Sequence, residues 1–177
     1  MTWLEAVTVR PSRWRVRHNA VLVVETFSKQ LTVTAGLLNI LVEAALTDDD
    51  NDVRTAAIKL VSDLWKKPYA IDYDIAQEVK KTIISDSHKD TIQNEVYTDI
   101  REKWVLFLGE VAEYVTFSEA IPVIIQVAVA RGSSSEFRSK AVALLVSESL
   151  TKGTFRACTN AMLSLKLHLK EPTIVRW

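Results

Sequence analysis

Apolar residues recur along this chain with the spacing of α-helices rather than of strands. The clearest stretch begins at Val53 and continues through Ala57, Ile58, Leu60 and Val61. Positions three and four residues apart lie on one side of an α-helix, so this stretch predicts a helix with one buried face. Other segments that are apolar with helical spacing are 34–46, 73–84, 118–130 and 154–169.

An apolar residue followed by arginine marks a unit that occurs four times. The four arginines are Arg17, Arg54, Arg101 and Arg138, with gaps of 37, 47 and 37 residues, and Arg176 follows 38 residues later. Three positions after the first four come Ala20, Ala57, Trp104 and Ala141, and the positions four and seven after them are all apolar. Because these columns agree, we interpret the chain as repeated pairs of helices in which the second helix begins near the arginine.

The best copy of the unit resembles the HEAT repeat, one of the armadillo-like α-solenoids. Asp50, Val53, Arg54, Ala57 and Val61 match its pattern D-x-x-V-R-x-x-A-x-x-x-L/V. The resemblance implies an all-α fold, a right-handed α-α superhelix of about four helical hairpins with partial hairpins at both ends. Armadillo repeats, which add a third short helix, are the nearest alternative. The expected single domain 1–177 divides into repeats 1–31, 32–68, 69–116, 117–151 and a partial 152–177.

The resemblance also implies a ladder of polar side chains between neighbouring repeats. Its expected members are Asp50 together with Arg17, Arg54, Arg101 and Arg138. The guanidinium carries a rigid fork of donors that suits bridging to carboxylates or backbone carbonyls. The alternative is that these arginines line up to bind an anion.

The acidic stretch 48–52 has a spacing that suggests a calcium loop, but it lacks the residues that such a loop needs. An EF-hand counted from Asp48 requires glycine at its sixth position and glutamate at its twelfth, where this chain has Val53 and Lys59. We therefore expect Asp50, Asn51 or Asp52 to cap the N-terminus of the following helix.

Composition excludes several classes of function. The 22 basic and 22 acidic side chains cancel, so no overall field attracts a polyanion. The single cysteine, Cys158, is typical of a reducing compartment, and the chain has neither an apolar run of 18 residues nor a signal-peptide core. These features predict an intracellular protein, cytoplasmic or nuclear, that does not cross a membrane.

No catalytic, cofactor-binding or metal-binding motif occurs in the sequence. His18, His88 and His168 fall on different repeats, and no H-x-x-x-H or cysteine–histidine cluster is present. We therefore expect no enzyme activity, no cofactor and no metal.

The expected function is that of a protein–protein interaction scaffold, or of a segment of a larger one. A partner would lie on a concave face formed by the stacked second helices. Positions one, two and nine after each arginine are candidates for that face: His18, Asn19, Thr26, Thr55, Asp63, Glu102, Lys103, Glu110, Ser139, Lys140 and Ser147. The alternative function is nucleic-acid binding in a basic groove, as in HEAT-like DNA glycosylases.

Two further features bear on binding. The 47-residue gap places about ten extra residues within 85–95, and such insertions map to one edge of a solenoid, often a binding edge. A surface loop without a role is the alternative. Both ends of the sequence resemble incomplete repeats, so we expect them to pack against another subunit or the rest of a longer solenoid.

Overall fold

The computed structural model is α-helical. It describes residues 13–28, 30, 32–68, 70–85, 88, 91–92, 95–112, 114–115, 121, 124–125 and 135–152, and only the backbone of 136 and 145–152. Within these residues, no strand occurs and the six helices are α1 (Trp14–Phe27), α2 (Ala35–Thr47), α3 (Asn51–Trp65), α4 (Tyr73–Ile83), α5 (Thr98–Ala112) and α6 (Ser135–Lys152). The predicted all-α fold is confirmed. The predicted helix at 154–169 and most of that at 118–130 lie outside the described residues.

The helices pack in two layers. Helices α2 and α3 form a hairpin whose connection is only residues 48–50, and α4 packs on α2. Helix α3 also contacts α1 and α5, and α5 contacts α6, so the second helices of successive repeats lie side by side. This is the layering of a HEAT-like helical solenoid, while its right-handed sense stays a prediction.

The apolar columns found in the sequence form much of the core between the layers. In α3, Val53, Ala57, Ile58 and Val61 are fully buried. Helix α2 buries two adjacent rows against them, at residues 37–38, 41–42 and 45–46. Each large apolar side chain removed from water in this way contributes about 1.5–3 kcal/mol before the cost in conformational entropy.

Side-chain caps fix where three of the helices begin. Thr34 Oγ1 accepts a hydrogen bond from the Leu37 N–H at 3.2 Å, and Asp72 Oδ1 accepts one from Ile75 at 2.8 Å. Asp50 Oδ1 accepts from the N–H groups of the second and third residues of α3, at 3.0 and 3.3 Å. A side-chain oxygen at this position accepts hydrogen bonds from first-turn N–H groups that have no partner within the helix. This is why helices start at these residues.

An aromatic cluster joins α3 to the repeat that follows. The buried Trp65 ring meets Phe107 edge-on, with ring centroids 5.2 Å apart, and Tyr114 at 5.7 Å. Trp104 extends the cluster through Phe107 at 6.1 Å. Trp65 also donates its indole N–H to the carbonyl oxygen of Glu110 at 3.3 Å, so this end of α3 is held to α5 by packing and by a hydrogen bond.

A buried ion pair links the first repeat to the second. Arg17 of α1 reaches the α2–α3 connection, where its Nε lies 2.7 Å from Asp48 Oδ2 and its Nη2 lies 2.9 Å from Asp48 Oδ1. The Arg17 and Asp48 side chains are each only 7% exposed, and Arg17 also pairs with the exposed Asp49. Asp48 Oδ1 accepts a further hydrogen bond from the Asp50 N–H at 2.9 Å. The pair is therefore bidentate, shielded from water and tied to the backbone.

A second pair links the second repeat to the third in the same way. Arg54 of α3 pairs through Nη2 with the buried carboxylate of Glu95, just before α5. The Glu95 Oε1 atom accepts a hydrogen bond from the Tyr97 N–H at 3.0 Å, two residues on, as Asp48 does from Asp50. Arg54 Nε also donates to the carbonyl oxygen of Ala45 at 3.3 Å. We call these two arrangements the rungs.

The rungs share one spacing, which differs from the expected one. The acid lies six residues before the arginine of its own repeat, at Asp48 before Arg54 and at Glu95 before Arg101. The resemblance had implied Asp50 as the ladder acid. The Asp50 side chain instead caps α3, and Asp48 is the acid that pairs with Arg17. Six residues before Arg138 the sequence has Gly132, so no carboxylate occupies the rung position there.

Electrostatics keep the first rung charged. The hydrogen bond to Asp48 is the main reason that the pKa of Arg17 lies above its ordinary value, and it outweighs the effect of burial. Burial alone would raise the pKa of Asp48, but the hydrogen bonds from Arg17 and the Asp50 N–H, with the arginine charge, lower it below its ordinary value. Both groups are therefore ionised at neutral pH.

The extra residues of the third repeat are anchored at several points. His88 lies with Nε2 3.2 Å from a Glu43 carboxylate oxygen on α2 and with Nδ1 2.7 Å from the Thr82 carbonyl oxygen. Ile92 is buried, and Glu95 forms the second rung. The described part of 85–95 therefore packs on the helices rather than projecting from them. Whether it has a binding role stays a prediction.

We predict that Asp48→Asn lowers the free energy of unfolding at neutral pH by about 1.5–3 kcal/mol, because it removes the carboxylate charge with which Arg17 pairs. Since the pKa of Asp48 is lowered on folding, its contribution is complete above the ordinary value of 3.8 and is lost as pH falls through the folded value. Urea unfolding of wild type and variant at a series of pH values should therefore show a difference in the free energy of unfolding. This difference should be constant above about pH 5 and disappear in acid.

Asp74→Asn, at an exposed position, is the control and should shift the urea midpoint little at any pH. A gap between wild type and Asp48→Asn that stays constant down to the most acidic pH would contradict the proposed contribution of the rung.

We predict that Trp104→Ala costs about 3–5 kcal/mol, the usual cost of truncating a buried aromatic residue. Trp104→Phe should cost much less. Phenylalanine retains most of the apolar surface and removes an indole N–H that is buried with no acceptor among the described residues. Denaturant unfolding followed by circular dichroism measures both. Equal losses from the two substitutions would contradict the expectation that Trp104 contributes mainly through its apolar surface.

Candidate functional site

The outward sides of α1, α3 and α5 form one surface, which we call the second-helix face. It comprises the positions one, two, five and nine after the arginine of each repeat. Lys59 of α3 pairs with Glu25 of α1, and Lys66, which directly follows α3, lies 2.9 Å from a Glu110 carboxylate oxygen of α5. Ion pairs thus cross both junctions between these helices, so the surface is continuous over three repeats.

A groove of about 180 Å³ runs along the junction of α3 and α5 on this face. Ile58, which is fully buried, forms part of its apolar lining, and Leu106, which is about one-third exposed, forms another part. The complete lining is Ile58, Lys59, Ser62, Asp63, Lys66, Lys103, Leu106 and Glu110. Apolar atoms surrounded by charges of both signs are the usual make-up of a protein-binding groove.

The charges of the groove are balanced within it and beside it. Lys59 pairs with Glu25 and lies 3.7 Å from Asp63, and the hydrogen bond and charge of Glu25 raise the pKa of Lys59. Lys103 lies 3.8 Å from Asp99, one turn earlier on α5, a separation that gives a weak, solvated contact. The groove therefore offers donors and acceptors but no excess of positive charge.

Three of the sequence-predicted residues, Asp63, Lys103 and Glu110, line this one groove. The others are placed separately along the helices. On α1, His18 is half-buried edge-on to Trp14, and Asn19 and Thr26 are exposed. Farther along the chain, Thr55 and Glu102 are half-buried, Ser139 and Lys140 are exposed, and Ser147 is described by its backbone alone.

The remaining ladder arginines have different surroundings from those of the rungs. Arg101 is buried and lies 3.5 Å from both the Glu95 carbonyl oxygen and Thr98 Oγ1. Arg138 and Ser139 line a second cavity of about 400 Å³ at the start of α6, together with Ser135 and Val142. Arg17 and Arg54 are paired with carboxylates, so the four arginines do not form an exposed row that could bind an anion.

The column five positions after each arginine was not among the sequence-predicted binding residues. It contains Leu22, Lys59 and Leu106, all exposed on the second-helix face, and two of them line the groove. Positions two, five and nine follow one another at helical spacing, so extending the period from the chosen columns would have identified this one. Lys66, twelve positions after Arg54, continues the same row.

Within the described residues, no group of three histidine, cysteine, aspartate or glutamate side chains is arranged to hold a metal ion. None of the helices described for this chain combines the length and apolar character needed to cross a bilayer.

Comparison with known protein families identifies the repeat class of the α2–α3 hairpin. Residues 37–67 match the family model of the HEAT repeat, from the third residue of α2 to two residues beyond the end of α3. The resemblance to HEAT repeats that the sequence suggested is thereby confirmed for this hairpin. No curated protein and no solved structure matches the chain.

We predict that Lys59→Ala lowers the free energy of unfolding by less than about 1 kcal/mol, because the Lys59 side chain is 56% exposed and its ion pairs are solvated. A double-mutant cycle with Glu25→Gln, followed by urea unfolding, measures the coupling. A coupling above about 2 kcal/mol would mean that the pair is part of the structural framework rather than of a binding surface.

Proposed function

We propose that this protein is a non-enzymatic scaffold that binds a partner protein on the second-helix face, which we infer to be the concave face of the solenoid. The observation that carries the proposal is the groove between α3 and α5, where the partly exposed Leu106 is surrounded by lysines and carboxylates. The HEAT-repeat match of the adjoining hairpin supports it, because HEAT repeats typically serve as scaffolds for protein interactions.

The mechanism is one of shape and matched polar groups. Side-by-side second helices give an extended surface, and the partner gains affinity by removing the exposed leucines from water. Partner residues of both signs would exchange with the solvated pairs of Lys59 and Lys103. These pairs fix orientation more than affinity, because exposed ion pairs contribute little energy.

Nucleic-acid binding is the weaker candidate. A phosphate chain would meet Asp63 and Glu110 beside the lysines of the groove, and Lys66 is already paired with Glu110. Each such carboxylate would have to be separated from its lysine before a phosphate could replace it. We also propose that the protein is intracellular, cytoplasmic or nuclear, because a single cysteine is typical of a reducing compartment.

We predict that Leu106→Asp and Lys103→Glu each abolish capture of the partner when tagged protein is incubated with lysate of the native cells. Leu106→Asp puts a charge on the apolar part of the groove, and Lys103→Glu reverses a charge beside it. Mass spectrometry of the captured proteins, compared among wild type and variants, is the measurement.

Lys81→Glu is the matched control, because Lys81 is an exposed lysine with an acidic neighbour on its own helix, in the other layer. It should capture the same proteins as wild type. Recovery of no reproducible protein, together with salt-sensitive retention on heparin, would overturn the scaffold proposal in favour of nucleic-acid binding.

A further inference from the structure

His88 connects the first helices of two successive repeats. Its Nε2 atom lies 3.2 Å from a carboxylate oxygen of Glu43, which belongs to α2, and its Nδ1 atom lies 2.7 Å from the carbonyl oxygen of Thr82, which belongs to α4. The His88 side chain is only 14% exposed, so the ring is largely shielded from water. We call this arrangement the His88 bridge. It lies in the layer opposite the groove.

Both partners of the His88 ring are hydrogen-bond acceptors. A carbonyl oxygen and a carboxylate can only accept, and a neutral imidazole has one N–H group, whereas the imidazolium has two. The charged ring therefore satisfies both contacts and the neutral ring satisfies one. Because the Thr82 contact is the shorter, a neutral ring keeps its proton on Nδ1 and turns the lone pair of Nε2 toward the negative charge of Glu43.

The end of α4 strengthens the same dependence on charge. Thr82 is the second-last residue of α4, so its carbonyl group is among the last four, which have no partner within a helix. The partial negative charge of a helix C-terminus interacts favourably with a cation placed there. Both contacts of the bridge are therefore stronger when the ring is charged.

The charged groups around the bridge come from α2, from α4 and from the neighbouring sequence. Glu43 faces the ring from α2. The last turn of α4 contains Lys80 and Lys81, and Lys81 forms an exposed pair with Glu78 on the same helix. The charged residues closest to His88 in the sequence are Asp86, Lys89 and Asp90.

We propose that the His88 bridge is a pH-sensitive link between the second and third repeats, closed when the imidazole is charged and open on the Glu43 side when it is neutral. Histidine is the side chain whose ordinary change of charge falls between pH 5 and 8. A neighbouring contact does not respond to pH, since the Thr82 hydroxyl donates to Asn39 Oδ1 of α2 at 3.0 Å. Helices α2 and α4 therefore stay packed in both states, and pH changes how firmly the end of α4 is held.

The protonation of the ring can be read directly by 15N NMR of the full chain, with His88→Gln identifying the His88 signals among those of the three histidines. Both ring nitrogens should carry protons at about pH 5. At about pH 8 the remaining proton should be on Nδ1, where the Thr82 carbonyl oxygen accepts it, whereas a neutral histidine in water holds its proton mostly on Nε2.

Hydrogen exchange measures the mechanical consequence. The Ile84 N–H donates to the Lys80 carbonyl oxygen at 3.0 Å and reports on the end of α4. Its exchange, corrected for the intrinsic effect of pH, should be faster at about pH 8 than at about pH 5 by a factor of about two to five, the range for a partly exposed ion pair. Glu43→Gln should remove this dependence, because an amide can accept from the charged ring and donate to the neutral one.

Two variants serve as matched controls. Thr82→Val retains the carbonyl group but removes the hydroxyl that bonds to Asn39, so it should speed exchange at Ile84 by the same factor at both pH values. The double variant Asp86→Asn, Asp90→Asn removes the acids nearest in sequence and should keep the wild-type pH dependence. Circular dichroism at both pH values shows whether each variant is folded.

Any one of three results would overturn the proposal. The first is a neutral His88 ring with its proton on Nε2. The second is an exchange rate at Ile84 that does not depend on pH in the wild type, or whose dependence persists in Glu43→Gln and in His88→Gln. The third is loss of the dependence in the double variant of Asp86 and Asp90, which would assign the effect to those acids instead of Glu43.

Discussion

Two buried arginine–carboxylate rungs set the relative positions of the first three repeats. Taking a guanidinium and a carboxylate out of water is costly, and the cost is offset only when the pair keeps its full set of hydrogen bonds. Arg17 meets Asp48 in a bidentate contact, and the acids of both rungs are also held by a backbone N–H two residues on. A slip of one residue would leave buried charges unpaired, so the rungs favour one register strongly over its neighbours. The aligned second helices, and with them the groove, depend on that register.

Much of the architecture could be predicted from the sequence, because helical period and repeat spacing are properties of the chain itself. The columns after Arg17, Arg54 and Arg101 located three second helices, and Asp50 was expected among the caps of α3. The rung acid was assigned incorrectly, since Asp48 and Asp50 lie two residues apart and both could serve a helix start. The path of the Arg17 side chain shows that Asp48 is the acid of the rung. Comparing Asp48 with Glu95, each six residues before an arginine, is the signal that could have done so.

The binding surface was less predictable than the fold because exposure alone does not specify which residues act together. Asp63, Lys103 and Glu110 come together since α3 and α5 lie side by side, whereas His18 and Ser139 belong to other helices. The exposed valines of α1 could not be recognised from the sequence at all. Val16 and Val23 occupy columns that are core positions in α3, where α2 packs against them, yet on α1 both side chains are exposed. The residue type at a repeat position shows whether its side chain is suited to burial. Whether the side chain is buried depends on which elements pack against that helix.

The aromatic cluster gives this protein a natural optical probe of one particular junction. Trp65 and Trp104 are buried together around Phe107, where the second repeat meets the third, while Trp14 is 39% exposed on α1. Indole emission shifts to shorter wavelength in apolar surroundings, so these two tryptophans emit farther to the blue than Trp14 does. Water that reached the α3–α5 boundary would shift their emission to the red. In a variant with Trp3 and Trp177 replaced by phenylalanine, that shift would report the separation of the two repeats without any added label.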